Sequence, residues 1–116
     1  MREVLEHFSQ IVSQSDVTIR IIEAKQQVIR ADILLKNQTR LIAAEYTYFD
    51  TERFKYSYQW MTHDNQLIRR WDNAHPVDLP TSPHHQHVGS EENVITSEPM
   101  TLDVVLTFIV SQLISS

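Results

Sequence analysis

The 116-residue chain contains no cysteine. Disulfides, thiolate metal sites and a cysteine nucleophile are therefore excluded, and the lack fits a reducing compartment without requiring one. Glycine is almost missing as well, with Gly89 the single example. A P-loop or a dinucleotide fingerprint needs several glycines where backbone closes on phosphate, so the standard nucleotide-cofactor enzymes fall away. Neither G-x-S-x-G nor H-E-x-x-H occurs, which removes two common hydrolase signatures. No long apolar run is present: the C-terminal TLDVVLTFIVSQLI is interrupted by Thr107 and Ser111 and is too short for a bilayer. The N-terminal MREVLEHFSQIVSQ mixes charged and apolar residues, unlike a secretory leader. A cytoplasmic protein with no membrane association is expected.

A dominant positive charge is lacking too. The net charge is −5, which argues against a broad basic surface for nucleic acid. The charges are unevenly spread, however. Val17 to Asp72 holds nine Lys/Arg against seven Asp/Glu, whereas Glu91 to Ser116 holds four acids and no base. A local basic site remains open.

What is present suits one domain over residues 1–116, with 41% hydrophobic content for a single core. Val4, Leu5, Phe8, Ile11 and Val12 recur with helical spacing, so a first helix is expected over residues 3–13. Period-two alternation then takes over. Strands are expected at 17–25, 28–36, 39–49, 53–62 and 66–72, with Gln26-Gln27 read as the first turn. A short strand at 93–97 and a helix after a Thr101 N-cap complete the chain. The fold class read from this is α+β: a twisted antiparallel β-meander of five to six strands, with an N-terminal and a C-terminal helix packed on it.

Chemistry concentrates between Trp71 and Val88, WDNAHPVDLPTSPHHQHV. Four of the six histidines lie there, His75, His84, His85 and His87, with Pro76, Pro80 and Pro83. Because proline fixes φ and lacks an N–H, the segment is expected to be a kinked loop and not an inner strand. Three readings of it stay open. An imidazole could act as acid or base, with Arg69 or Arg70 stabilising phosphorane charge. Three histidines with Asp72 could bind Zn²⁺, Ni²⁺ or Fe²⁺. A stiff loop with hydrogen-bonded histidines is the plain alternative. Neighbouring arginines on a strand point to opposite faces, so only one can serve a given site. Arg69 shares parity with Asn73, and Arg70 with Asp72. Phe54, Tyr56, Tyr58 and Trp60 share one face of the fourth strand, expected to be core, with tyrosine hydroxyls at its edge within reach of the loop. Lys55 on the other face is a candidate phosphate contact.

The run YSYQW, then LIRRWDNA, the proline-rich LPTSPHHQH, ENVITS and a closing helix resembles the TumE family of small prokaryotic proteins. These are proposed toxins of type II toxin–antitoxin pairs, encoded beside a helix-turn-helix antitoxin. Carried over by position, the family pattern falls on Tyr56, Tyr58, Arg69, Asp72, Asn73, His75, His84, His85 and His87. The chain reads NAHP where the family commonly reads NAPHH, so one histidine is missing. The resemblance implies a toxin partnered by such an antitoxin, and analogy with other small toxins adds RNA as substrate.

The leading expectation is therefore a metal-independent endoribonuclease with no cofactor. His75, His84, His85, His87, Arg69, Arg70 and Asp72 are its catalytic candidates; Tyr56, Tyr58, Asn73 and Lys55 are its substrate-binding candidates. The alternatives are a non-enzymatic binding protein acting through the rigid loop, and a metal-dependent hydrolase. A homodimer through an edge strand is also expected, since a meander leaves two edges.

Overall fold

The alternating runs become strands in a computed structural model, in which residues 1–114 are described. They are β1 (Val12–Ile22), β2 (Gln26–Leu35), β3 (Arg40–Tyr48), β4 (Arg53–Met61), β5 (Leu67–Asp72), β6 (His85–Val88) and β7 (Val94–Thr96). Helix α1 (Arg2–His7) precedes them and α2 (Leu102–Ile114) follows. The spatial order of the strands equals their order in the chain, and each adjacent pair is antiparallel. The α+β meander with terminal helices is therefore as expected, but the sheet has seven strands in place of five to six.

The extra strand comes from the histidine loop. Its last proline is Pro83, so every residue from His84 to Val88 keeps its N–H. His85–Val88 then pairs with β5 on one side and β7 on the other. The expectation that this segment excludes an inner strand is corrected: proline restricts its own position and its neighbours, not residues further on. The remaining loop is residues 73–84.

Two other boundaries move. Helix α1 ends at His7 and not near residue 13, because Val12 is already paired opposite Leu35. Pairing with β2 outweighs a modest helical preference. The first turn is Glu23–Lys25 and not Gln26-Gln27, which belong to β2. Glu23 and Ala24 both take positive φ, 51° and 54°, the signature of a tight hairpin turn, here without the usual Asn-Gly. Gln38, Glu52 and Asn65 supply a positive φ to the next three turns.

The pleat separates two faces. Ala31, Ile33, Leu35, Leu41, Ala43, Tyr58, Trp60 and Trp71 point to one side and are buried there with Leu5, Leu102, Val105, Leu106 and Ile109 of the helices. The spacing of the last four is one helical stripe. Thr101 lies where an N-cap should, its carbonyl accepting from Val105 N–H, while its hydroxyl bonds to Asp103. The opposite face carries no helix. Ser57, Gln59, Arg70, Asp72, His85 and His87 fall on it by register.

Candidate functional site

Register across three strands builds the site. Ser57 stands opposite Asp72 and Gln59 opposite Arg70. On the other side of β5, His85 stands opposite Asp72 and His87 opposite Arg70. Directly opposed side chains lie close enough to interact, so β5 and β6 deliver a carboxylate, a guanidinium and two imidazoles to one patch. Loop 73–84 adds a third ring: His75 folds back so that its centroid lies 5.0 Å from that of His85.

Asp72 is the hub, only 4% exposed. Its Oδ2 accepts from Arg70 Nε at 3.2 Å and lies 3.6 Å from His87 Nε2. Its Oδ1 accepts from Ala74 N–H at 3.2 Å and lies 3.0 Å from His85 Nε2. Arg70 also donates to Glu91 at 2.6 Å, and its Nη2 lies 3.1 Å from His87 Nε2.

The tautomers follow from the backbone. His75 Nδ1 is 3.0 Å from Pro76 O, His85 Nδ1 is 2.9 Å from Pro83 O, and His87 Nδ1 is 2.8 Å from Glu91 O. A carbonyl can only accept, so each ring carries its proton on Nδ1. In the neutral ring each Nε2 is then a lone-pair donor. That of His87 is satisfied by Arg70. That of His85 is fully buried and makes no hydrogen bond of acceptable geometry, despite its nearness to Asp72.

The other candidates lie elsewhere. His84 points to the helix-covered face, where its Nδ1 meets Tyr56 Oη at 2.7 Å. Met100 N–H donates to the same hydroxyl, so the tyrosine proton is free for His84. Arg69 also faces the helices. Its guanidinium lies 4.8 Å from the Phe108 ring centre and donates to Gln86, and burial pushes its pKa down. Tyr56 and Tyr58 are buried on that same face, 2% and 0% exposed, so neither is presented to a substrate on the bare face. Burial raises both phenol pKa values, and for Tyr58 the Glu45 carboxylate, 2.5 Å from the hydroxyl, raises it further. Asn73 spends its amide on backbone, accepting from Tyr56 N–H and donating to Phe54 O. It fixes where the loop leaves β5.

Parity allowed the imidazole pair one arginine, and register selects Arg70. Two neighbours were missed from sequence. Glu91 enters because the turn after β6 carries it back to Arg70, a placement legible only once HQHV is read as a strand. A groove of about 300 Å³ is lined by Tyr46, Tyr48, Lys55, Tyr56, Ser57 and Ala74, and Ser57 stands opposite Asp72. Tyr46 is opposite Lys55 on neighbouring strands, a pairing no local pattern announces.

A protein-family model described as Toxin TumE matches residues 1–114. The chain belongs to the TumE toxin family. No curated protein and no solved structure matches it. The match runs through the N-terminal strands as well as the histidine loop, so in this TumE protein the whole sheet, and not the C-terminal half alone, carries the family pattern. A toxin family implies an antitoxin partner in general. Among the described residues no helix is long and apolar enough to cross a membrane.

Proposed function

We propose that this TumE-family toxin cleaves RNA at the Arg70–Asp72–His75–His85–His87 cluster, and that its cognate antitoxin is a helix-turn-helix protein. One observation supports the reading: a guanidinium, a buried carboxylate and three imidazoles meet on the one sheet face that no helix covers. Cleavage of RNA by its own 2′-hydroxyl needs a group to take that proton and a cation for the charge on the phosphorane. The 2′-oxygen bonds to phosphorus, the P–O5′ bond breaks with the 5′-oxygen taking a proton from water, and a 2′,3′-cyclic phosphate results. Arg70 is the cation, positioned by Asp72 and Glu91. The nucleophile is activated at His75, the one exposed ring of the three. In the metal-free form expected from sequence, its Nε2 takes the proton. The neighbouring groove offers Lys55 for a phosphate and Tyr46 and Tyr48 for base stacking.

The test is expression without antitoxin, read by growth and by the integrity of total RNA. The unmodified chain arrests growth and fragments RNA. Arg70→Gln lowers the cleavage rate at least about 100-fold, the scale of losing one charge-stabilising donor, and His75→Ala does likewise. If both variants stay as toxic as the parent at equal folded levels, the cluster is not the seat of toxicity. If toxicity persists with RNA intact, the substrate is something else.

A further inference from the structure

The geometry points to a divalent transition-metal site formed by Asp72, His75 and His85, with Zn²⁺ its best-matched occupant. One ligand atom from each of the three residues falls within 4.8 Å of the others. The buried His85 Nε2 supplies the independent observation. Its ring proton is committed to Pro83 O through Nδ1, so in the neutral ring Nε2 is a bare lone pair. It faces Asp72 Oδ1, also an acceptor, at 3.0 Å. Two acceptors so close require positive charge between or beside them. A second ring proton answers poorly, because an N–H at Nε2 would not be in line with Asp72. A cation bonded to both atoms answers well.

The surroundings match such a site in three ways. His75 and His85 each donate Nδ1–H to a backbone carbonyl, the arrangement that fixes metal-binding imidazoles with Nε2 free. Arg70 binds Oδ2 of Asp72, so Oδ1, which accepts only from Ala74 N–H, keeps a lone pair for an ion. One guanidinium stands against two carboxylates, Asp72 and Glu91, so with neutral histidines the patch has an uncompensated negative charge. Bonds of about 2.1 Å in a tetrahedral site place ligand atoms about 3.4 Å apart. The exposed His75 can close the remaining gap by turning its ring. Three protein ligands leave a position open, as in catalytic sites and not structural ones.

The catalytic consequence rests on the ribonuclease reading and changes one role in it. His75 then contributes to activation as a metal ligand, and the ion supplies the acid that lowers the pKa of the attacking hydroxyl or of water. The binding claim itself is independent of RNA.

The experiment treats the purified full chain with chelator, removes it, and titrates with Zn²⁺ alone by calorimetry and with Co²⁺ by visible absorption. One Zn²⁺ per chain with micromolar or tighter affinity is expected, with a Co²⁺ d–d band of low-coordinate form. His75→Ala, at an exposed position, weakens Zn²⁺ at least tenfold and abolishes the band. His63→Ala, in the β4–β5 turn at the opposite end of those strands, changes neither. A flat titration, or His75→Ala binding as the parent does, overturns the proposal. RNA cleavage that survives the chelator alongside a flat titration leaves the ribonuclease reading standing and removes this one. Zn²⁺ binding without RNA cleavage does the reverse.

Discussion

The two faces of the sheet are built from the same strands and share almost nothing else. The covered face is apolar and sealed by α1 and α2, and its polar atoms are spent on one another: Tyr58 on Glu45, Tyr56 on His84 and Met100. The bare face carries the cluster around Asp72, with His85 Nε2 buried and making no hydrogen bond. Histidines adjacent in sequence, His84 and His85, are divided between them. A strand has room for one stability surface and one chemical surface, and alternation assigns each residue to one of the two. The comparison therefore teaches that burial alone does not mark a structural residue here. His85 is as buried as Leu106, but it is buried against Asp72 and His87 and not against apolar side chains.

The sharpest way to break this comparison is to attack the covered face. Leu106→Ala should cost about 2–5 kcal/mol in urea unfolding, through lost transfer and a residual cavity, while the toxicity of the molecules that remain folded is unchanged. A cost below about 1 kcal/mol would mean that α2 does not close the core. Next in size is Tyr56→Phe, which strands His84 Nδ1 and Met100 N–H. About 1–3 kcal/mol is expected, with Zn²⁺ affinity untouched because the change lies behind the sheet. Altered affinity would show that the faces communicate.

Alkaline pH sharpens the same contrast. Tyr56 and Tyr58 have folded-state pKa values raised above the ordinary 10.0. An acid whose pKa is raised by folding favours the folded state while protonated, so their contribution is intact below pH 10. It is lost as the unfolded chain ionises above that, and for Tyr58 the loss approaches about 1.4 kcal/mol per pH unit well above pH 10. Thermal stability should decline between pH 9 and 11, more steeply toward pH 11, and Tyr58→Phe should make the fall shallower. The smallest expected effect is on the bare face: His75→Ala changes stability by no more than about 0.5 kcal/mol. A large loss would make His75 a fold residue and erase the division drawn above.

Much of this was legible in sequence because period two is a strong signal. The alternation FKYSYQW located β4 and its buried face, and the parity of Arg69 and Arg70 required that they separate. Stretches that depend on distant partners were less legible. His85–Val88 is too short to announce itself, and it is a strand only because β5 and β7 flank it. His75 joins the cluster by a loop reversal that no periodicity encodes. Carrying family positions across assigned Tyr56, Tyr58, Arg69 and His84 to chemistry, but such positions mark packing as well as function. Here Tyr56, His84 and the start of α2 form one anchoring point.

The strand order has a consequence for how the molecule comes into being. Each strand pairs with the one made just before it, so contacts within the sheet are local and should form quickly. On the ribosome the first four hairpins can zip together while residues beyond β5 are still being added. They contain neither the His85–His87 strand nor the C-terminal helix that packs on the core. The apolar face of the sheet therefore stays only partly covered until α2, the last of the described elements, is added.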